Sequence, residues 1–177
     1  SGADVIKGAR LRYRTWDQQL ADALTADFAM DQALETRYGK LSRGQRAMVA
    51  IVIGLAAGTD LLLLDEPYVG LDTHNTDVFY RHLLAQADTG RTIVMATHHI
   101  EDAAKVLDTA VVLGREGTVA KQCAPEDADA FAVAGGELLP IDDASRHARP
   151  ARLDDLIEHY LEAVSYTHLR AHETEAD

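Results

Sequence analysis

Two adjacent carboxylates follow a run of four leucines in the middle of the chain. Asp65 and Glu66 come directly after Leu61–Leu64, a run that predicts a strand buried on both faces. Because ligands of open α/β sheets bind at the carboxyl ends of strands, Asp65 could hold Mg²⁺ and Glu66 could orient or deprotonate an attacking water. His98 follows the next predicted strand and could contact a terminal phosphate. The alternatives are a solvated acidic turn before Pro67 and a structural histidine.

A second candidate site is the pentapeptide LSRGQ, which spans Leu41–Gln45. Ser42 followed by Gln45 is a capping box, and it predicts a helix from about Arg43 to Ala57, with Gly58 at the stop position. The free N–H groups and positive dipole end of a helix N-terminus bind phosphate. Gly44 would let the backbone approach such a ligand, and the Ser42 hydroxyl could donate to it. Alternatively, Ser42 only caps the helix.

Alternating strands and helices are predicted around these residues, which favours an α/β layer with a mostly parallel sheet. Asp72 lies in the loop after the carboxylates and by itself is typical of a turn or a helix cap. The predicted strands are Thr92–Ala96, Ala110–Leu113 and Thr118–Gln122, the last two joined by a turn at Gly114–Gly117. The predicted helices are 16–28 with a capping box at Thr15 and Gln18, Asn75–Ala87, Ile100–Leu107, 125–136 and 150–163.

Composition excludes several classes of protein. The 177 residues suit one domain, and the formal net charge of −12 argues against a nucleic-acid binder and against broad contact with anionic lipid. Cys123 is the only cysteine, so neither an intrachain disulfide nor a Cys-rich zinc site can form. Neither a signal peptide nor an apolar run long enough to span a bilayer is visible. These features predict a cytosolic, acidic, globular domain.

Four short patterns occur in order, and together they resemble an ABC-type ATPase, the nucleotide-binding domain of ABC transporters. They are LSRGQ at 41–45, LLLLDEP at 61–67, GLD at 70–72 and ATHH at 96–99. They resemble the signature, the Walker B motif, the D-loop and the switch-histidine segment, and the wording is similar to a bacterial exporter-type subgroup. The resemblance implies a P-loop NTPase (RecA-like) α/β fold, a mostly parallel sheet flanked by helices, with part of the helical subdomain at the N-terminus.

In that family, two domains close head to tail around two ATP molecules, and the signature of one caps the ATP held by the other. The resemblance implies that Asp65 helps to hold Mg²⁺, Glu66 polarises water, and His98 senses the γ-phosphate. Asp72 would cross the dimer interface. The residues implied to contact ATP in trans are Ser42, Arg43, Gly44 and Gln45, with Arg43 standing where the family most often has Gly.

The phosphate-cradling motif G-x-x-x-x-G-K-[ST] is absent from the 177 residues. We therefore expect the C-terminal part of a nucleotide-binding domain, inactive by itself. The expected divisions are 1–58 as part of the helical subdomain, 59–123 as the C-terminal half of the ATPase core, 124–163 as a C-terminal helical extension and 164–177 as a non-native tail.

The resemblance implies the ATP-binding subunit of an ABC transporter, with ATP and Mg²⁺ as cofactors. Its expected partners are a second nucleotide-binding domain and a transmembrane permease subunit, which would hold it at the inner face of the cell membrane. The alternative is a non-hydrolysing half, or regulatory module, that completes a partner's ATP site. An ABC protein without a transporter is disfavoured by the charge and by the lack of heptads in residues 1–40. A non-ABC phosphohydrolase leaves LSRGQ unexplained.

Overall fold

The computed structural model describes residues 1–87, 89–114, 117–143 and 148–173, with side chains up to residue 164. The chain divides into two compact units, Ser1–His98 and His99–Asp177. The subdomain divisions expected from the sequence, at 58 and 123, describe a different partition of the chain and stay predictions. Within the described part of the chain, no helix combines the length and the apolar character needed to cross a membrane.

Unit 1 begins with helices α1 (Gly2–Arg12), α2 (Gln18–Asp27) and α3 (Asp31–Glu35), and then a 3₁₀ turn at Tyr38–Lys40. The sequence made no prediction for α1. The predicted α2 is confirmed, but the capping box at Thr15 is wrong. Asp17 caps α2, because it has extended backbone and its carboxylate accepts from the Leu20 N–H at 2.9 Å. Thr15 instead donates its hydroxyl to the Ala57 carbonyl at 2.7 Å.

Helix α4 (Arg43–Ala56) is the centre of the unit 1 core, and its predicted bounds are confirmed to within a residue. It packs against α1 and α2 through a face of large apolar side chains. The helix stops at Gly58, whose φ of +62° suits glycine at this position. The buried residues of α4 are Met48, Val49, Ile51, Val52, Leu55 and Ala56.

Strands β1 (Leu61–Asp65) and β2 (Thr92–Ala96) are parallel and are connected by helix α5 (Thr73–Ala87). The register pairs Leu61 with Thr92 and Asp65 with Ala96. The prediction that β1 is buried on both faces is wrong. Leu62 is 7% exposed and would touch a side chain added at Gly54 of α4, whereas Leu63 is 68% exposed. One face of β1 is therefore covered, and the strand alternates as a half-buried strand does.

Unit 2 contains α6 (Ile100–Ala103), which is shorter than predicted, and the predicted antiparallel pair β3 (Ala110–Leu113) and β4 (Val119–Cys123). Residues 115 and 116 of the predicted turn lie outside the described residues. A 3₁₀ segment at Pro125–Ala130 follows, and then an antiparallel sheet of order β6-β5-β7 and helix α7 (Leu153–Glu173). The three strands are β5 (Phe131–Ala134), β6 (Glu137–Pro140) and β7 (Arg149–Pro150), with a 3₁₀ turn at Ile141–Asp143 between β6 and β7.

The predicted helix at 125–136 is wrong. Gly135 and Gly136 have φ of +61° and +89°, the geometry of a two-residue hairpin turn, so this glycine pair joins β5 to β6 rather than ending a helix. The described residues of 124–163 therefore include three strands as well as part of a helix. Helix α7 begins later than predicted, at Leu153, because Pro150 lies in β7. The interpretation of 164–177 as a non-native tail stays a prediction, and residues 174–177 lie outside the described residues.

Candidate functional site

Glu66 is the first residue after β1, and its backbone is in the left-handed region with φ of +43°. Its N–H donates to the Ala96 carbonyl at 3.0 Å, which extends the pairing of β1 with β2 by one residue. Left-handed backbone at a non-glycine residue costs of order 1 kcal/mol or more and concentrates at functional sites. This outlier marks Glu66 as a candidate functional residue independently of any motif.

The carboxylate of Glu66 is held by the two residues that follow β2. Its Oε1 accepts from the His98 N–H at 3.0 Å and lies 2.6 Å from His98 Nδ1. Its Oε2 accepts from the Thr97 hydroxyl at 3.3 Å. Because β1 and β2 are parallel neighbours, the residues after each strand meet at one edge of the sheet. The structure thus brings together Glu66 and His98, which the sequence places 32 residues apart.

These contacts lower the pKa of the Glu66 carboxyl. Partial burial raises the pKa of its carboxyl, but the hydrogen bonds from the His98 ring and backbone and from Thr97 outweigh it and hold the pKa below its usual value. Glu66 is therefore ionised at neutral pH. A carboxylate with a low pKa is a weak proton acceptor, so this geometry favours orienting and polarising a water over removing its proton completely.

Asp65 is the last residue of β1, and its side chain is exposed. An exposed carboxylate suits Mg²⁺, which prefers oxygen ligands and is usually held by one or two carboxylates, substrate phosphates and water. Among the described residues, no group of three or more His, Cys, Asp or Glu side chains could hold a metal.

Ser42 and Gln45 satisfy each other at the start of α4. The Ser42 hydroxyl oxygen accepts from the Gln45 N–H at 3.1 Å, and Gln45 Oε1 accepts from the Ser42 N–H at 2.9 Å. The predicted capping box is confirmed. A hydroxyl that accepts one bond can still donate another, so the phosphate interpretation of Ser42 stays open.

Gly44 lies against the backbone of Gly70. A Cβ built on Gly44 would collide with the Gly70 carbonyl oxygen, so glycine is needed here for a contact within the chain. The stem of Arg43 covers the other side of this contact, because a Cβ on Gly70 would lie 3.2 Å from Arg43 Cγ. The sequence predicted that Gly44 lets the backbone approach a ligand. It did not predict the contact between Gly44 and Gly70, although Gly70 belongs to the GLD pattern.

Asp72 caps α5 in this structure. Its Oδ1 accepts from the Asn75 N–H at 2.8 Å, and its carbonyl accepts from the Thr76 N–H at 2.9 Å. The cap interpretation of Asp72 is confirmed, and its role across a dimer interface stays a prediction.

Two further residues escaped sequence reasoning. Thr97 precedes His98 in the ATHH pattern, which is the one signal that could have pointed to it. Arg91 donates to the Leu55 carbonyl at 3.0 Å, the Gly54 carbonyl at 2.9 Å and the Thr59 hydroxyl at 2.9 Å. No local pattern signals these contacts, because Arg91 is more than 30 residues away from each partner in the sequence.

Comparison with known proteins gives consistent similarities. Residues 7–101 match the family model described as "AAA domain, putative AbiEii toxin, Type IV TA system". The "Probable anion import ATP-binding protein" of Haloferax volcanii is 36% identical over 128 residues, which cover 63% of this chain and 44% of that protein. The manganese transport system ATP-binding protein of Halalkalibacterium halodurans is 29% identical over 134 residues, or 70% of this chain and 54% of that protein.

Solved structures show the same fold. The ATP binding subunit of an ABC transporter superposes with a TM-score of 0.64 at 22% identity, covering 72% of this chain and 54% of that one. A dimeric bacterial ABC transporter cassette gives a TM-score of 0.57 at 22% identity, covering 70% and 56%. The predicted α/β P-loop NTPase fold is confirmed. The chain spans about half the length of the curated relatives that it matches.

Proposed function

Since this chain belongs to the AAA-domain family and is an ABC-type ATPase nucleotide-binding domain, we propose that it supplies the signature and the catalytic carboxylate of a transporter's ATP-hydrolysing subunit. The observation that carries the proposal is the Glu66 carboxylate, held by His98 and Thr97 at the carboxyl end of a parallel β1–β2 pair. The substrate is ATP.

Glu66 orients the attacking water in this proposal. Its ionised carboxylate can accept a hydrogen bond from the water, and the bonds from residues 97 and 98 fix its direction. The His98 side chain is 71% exposed, and its Nδ1 lies at hydrogen-bond distance from Glu66. The ring atom that would contact a substrate phosphate is therefore Nε2, which links the phosphate to the carboxylate. This is catalysis by positioning and electrostatics, as phosphoryl transfer requires.

Two features would stabilise the negative charge of the phosphates in this proposal: a magnesium ion and the N-terminus of α4. Bound Mg²⁺ would supply Lewis-acid stabilisation, and the exposed Asp65 carboxylate suits its first coordination shell. The N-terminus of α4 would face the triphosphate held by a partner domain. Because Ser42 uses the N–H of Gln45, the backbone donors at this helix end would be Arg43 and Gly44, with the Arg43 charge added.

A second candidate is a signature-bearing half that completes a partner's ATP site and hydrolyses nothing by itself. It would use the N-terminus of α4, where the Ser42–Gln45 capping box is formed, and would not depend on Glu66. Under both candidates the chain acts with a second nucleotide-binding domain, and a transmembrane permease subunit couples it to transport.

The test begins with the source DNA upstream of Ser1 and downstream of Val164. We expect an in-frame G-x-x-x-x-G-K-[ST] upstream, and Mg²⁺-dependent ATP hydrolysis by the purified polypeptide that the complete reading frame encodes. A start codon directly at the Ser1 boundary without such a motif would instead establish the non-hydrolysing half. Tight ATP binding and turnover by residues 1–177 alone would contradict both candidates.

A further inference from the structure

The segment from Glu66 to Asp72, here called the 66–72 loop, is held by its own hydrogen bonds. The Val69 N–H donates to the Glu66 carbonyl at 3.1 Å, and the Leu71 N–H donates to the Tyr68 carbonyl at 2.9 Å. Tyr68 is 7% exposed, and its ring packs against the rings of Phe79 and Tyr80 of α5 at 6.3 and 5.8 Å. The loop is therefore held both by its own turns and by the packing of Tyr68 against α5.

The 66–72 loop and α4 approach each other backbone to backbone at Gly70 and Gly44. A Cβ on Gly44 would collide with the Gly70 carbonyl oxygen. A Cβ on Gly70 would lie 3.4 Å from the Gly44 nitrogen, and the Gly70 backbone has φ of +95°. The Gly70 carbonyl therefore requires glycine at position 44, whereas Gly70 is required mainly by its own backbone conformation.

We propose that the Gly44–Gly70 contact is a rigid link between the signature segment and the 66–72 loop, which makes Gly70 a positioning residue for Glu66 and Asp72. When a ligand at the N-terminus of α4 moves this helix end, the link moves the catalytic carboxylate and the Asp72 cap with it. The role of this link in catalysis rests on the proposed function. The link between the two segments does not.

Arg43 would contact a side chain added at Gly70, so truncating it should affect the two glycine variants differently. A Cβ on Gly70 would meet Cγ and Cδ of Arg43 at 3.2 and 3.4 Å, and a shorter side chain at 43 would remove these contacts. A Cβ on Gly44 meets a backbone oxygen, which no side-chain truncation removes. Arg43→Ala should therefore relieve only the side-chain contacts in Gly70→Ala, leaving the strain of the φ of +95°, and should not relieve Gly44→Ala.

The experiment uses residues 1–177 and follows backbone amides by ¹H–¹⁵N NMR and hydrogen exchange. The variants are Gly44→Ala, Gly70→Ala, Arg43→Ala and the two doubles that contain Arg43→Ala. Gly39→Ala is the matched control, since a Cβ there meets nothing within 4 Å. We expect Gly44→Ala to raise exchange across residues 69–72 by at least about tenfold and to shift the Glu66 and Asn75 amides, with Gly39→Ala near the parent.

The rescue pattern separates positioning from general loss of stability. The link predicts that the Glu66 amide shifts less in the double variant Gly70→Ala with Arg43→Ala than in Gly70→Ala alone. It also predicts that Arg43→Ala brings no such recovery when it is combined with Gly44→Ala. Equal exchange in Gly44→Ala and Gly39→Ala, or equal recovery of both glycine variants, overturns it. If Gly44→Ala does not fold, Gly70→Ala decides: shifts of the Gly44 and Gln45 amides beyond those in Gly39→Ala support the link, and their absence overturns it.

The same variants separate the link from the proposed function. In the complete ATPase polypeptide, Gly70→Ala should lower kcat by about tenfold or more and leave the KM for ATP within about twofold, because it displaces Glu66 and not the nucleotide. An unchanged kcat overturns the positioning role. If the parent polypeptide does not hydrolyse ATP, the proposed function fails, and the amide data still decide whether the link exists.

Discussion

At the residue scale, the proposed hydrolysis depends on how the chain holds the Glu66 carboxylate. His98 contributes its backbone N–H and its ring to Oε1, and Thr97 contributes its hydroxyl to Oε2. Both residues come from the turn after β2, so the hydrogen bonds exist only because β1 and β2 are adjacent. The motif spacing indicated both Glu66 and His98, but no pattern in the sequence predicted which atoms would meet.

The first prediction concerns the charge of this carboxylate. His98→Ala removes the ring contact at 2.6 Å, and the pKa of Glu66 should therefore rise toward its usual value of 4.5. Carboxyl ¹³C NMR over an acid titration measures it directly. Thr97→Val should raise the pKa less, because its bond to Oε2 is longer, at 3.3 Å. A Glu66 titration that is identical in the parent and in His98→Ala would contradict the described geometry.

The second prediction concerns acid stability and Asp155. Two guanidinium nitrogens of Arg149 lie 2.7 and 2.6 Å from the two Asp155 oxygens, and this pair lowers the pKa of Asp155. A carboxyl with a lowered folded-state pKa stabilises the fold above its unfolded value, about 3.8, and loses that contribution as pH falls through the folded value. Asp155→Asn should therefore have a lower free energy of unfolding than the parent at pH 7. Its free energy of unfolding should fall less than the parent's as the pH drops below about 3.8.

Urea unfolding at pH 7 and in the acid range below about pH 3.8 measures this difference in the free energy of unfolding. Asp102→Asn is the control, because it removes an exposed pair with Lys105 in the same unit, and exposed pairs contribute about 0–1 kcal/mol. An Asp155→Asn variant as stable as Asp102→Asn at pH 7 would show that the Arg149 pair does not act as described.

At the element scale, α4 is positioned by what meets its two ends. At its N-terminus, Ser42 and Gln45 form the capping box and Gly70 contacts the helix backbone. At its C-terminus, Thr15 and Arg91 donate hydrogen bonds to backbone carbonyls. The sequence predicted the helix, its capping box and its stop at Gly58, because these are local signals. It could not predict Arg91 or Thr15, whose partners are distant in the chain, nor Asp17 as the cap of α2, because Thr15 offered a competing cap pattern.

The third prediction tests the C-terminal anchor of α4. Arg91→Met leaves the Gly54 and Leu55 carbonyls without their charged donor, and hydrogen bonds to charged groups contribute about 1.5–3 kcal/mol each. We expect the free energy of unfolding to fall by about 2–4 kcal/mol, measured by urea denaturation. Arg81→Met is the control, since Arg81 is 65% exposed in its pair with Asp27 and should cost at most about 1 kcal/mol. Equal losses in both variants would contradict the anchoring role.

The fourth prediction compares two glycines in helical contexts. Gly58 has φ of +62°, and a Cβ there would collide with the Thr15 carbonyl oxygen, so Gly58→Ala should destabilise by more than about 1 kcal/mol. Gly8 lies inside α1 with nothing within 4 Å of its Cβ position, so Gly8→Ala should stabilise by about 0.5–1 kcal/mol. Thermal unfolding distinguishes them, and a gain of stability in Gly58→Ala would refute the described stop.

At the scale of the whole molecule, the two units differ in how far their sequence could predict them. In unit 1, motif order and helix caps predicted the parallel β1–α5–β2 unit and the site at its edge. In unit 2, the glycine pair at 135–136 was assigned to a helix end, although two glycines between β-branched and apolar residues also suit a hairpin. The burial of β1 was overestimated because a run of leucines does not reveal how many of its faces are covered.

The central claim is that Glu66 is the catalytic carboxylate of an ATPase, and one measurement tests it most directly. Steady-state ATP hydrolysis is compared for the complete polypeptide, its Glu66→Gln variant and the control Glu35→Gln, which changes an exposed glutamate of α3. We expect Glu66→Gln to lower kcat by about 10²- to 10⁴-fold, and Glu35→Gln to leave it unchanged. Hydrolysis by Glu66→Gln within about threefold of the parent would contradict this role, because a misplaced reacting group costs about 10²-fold.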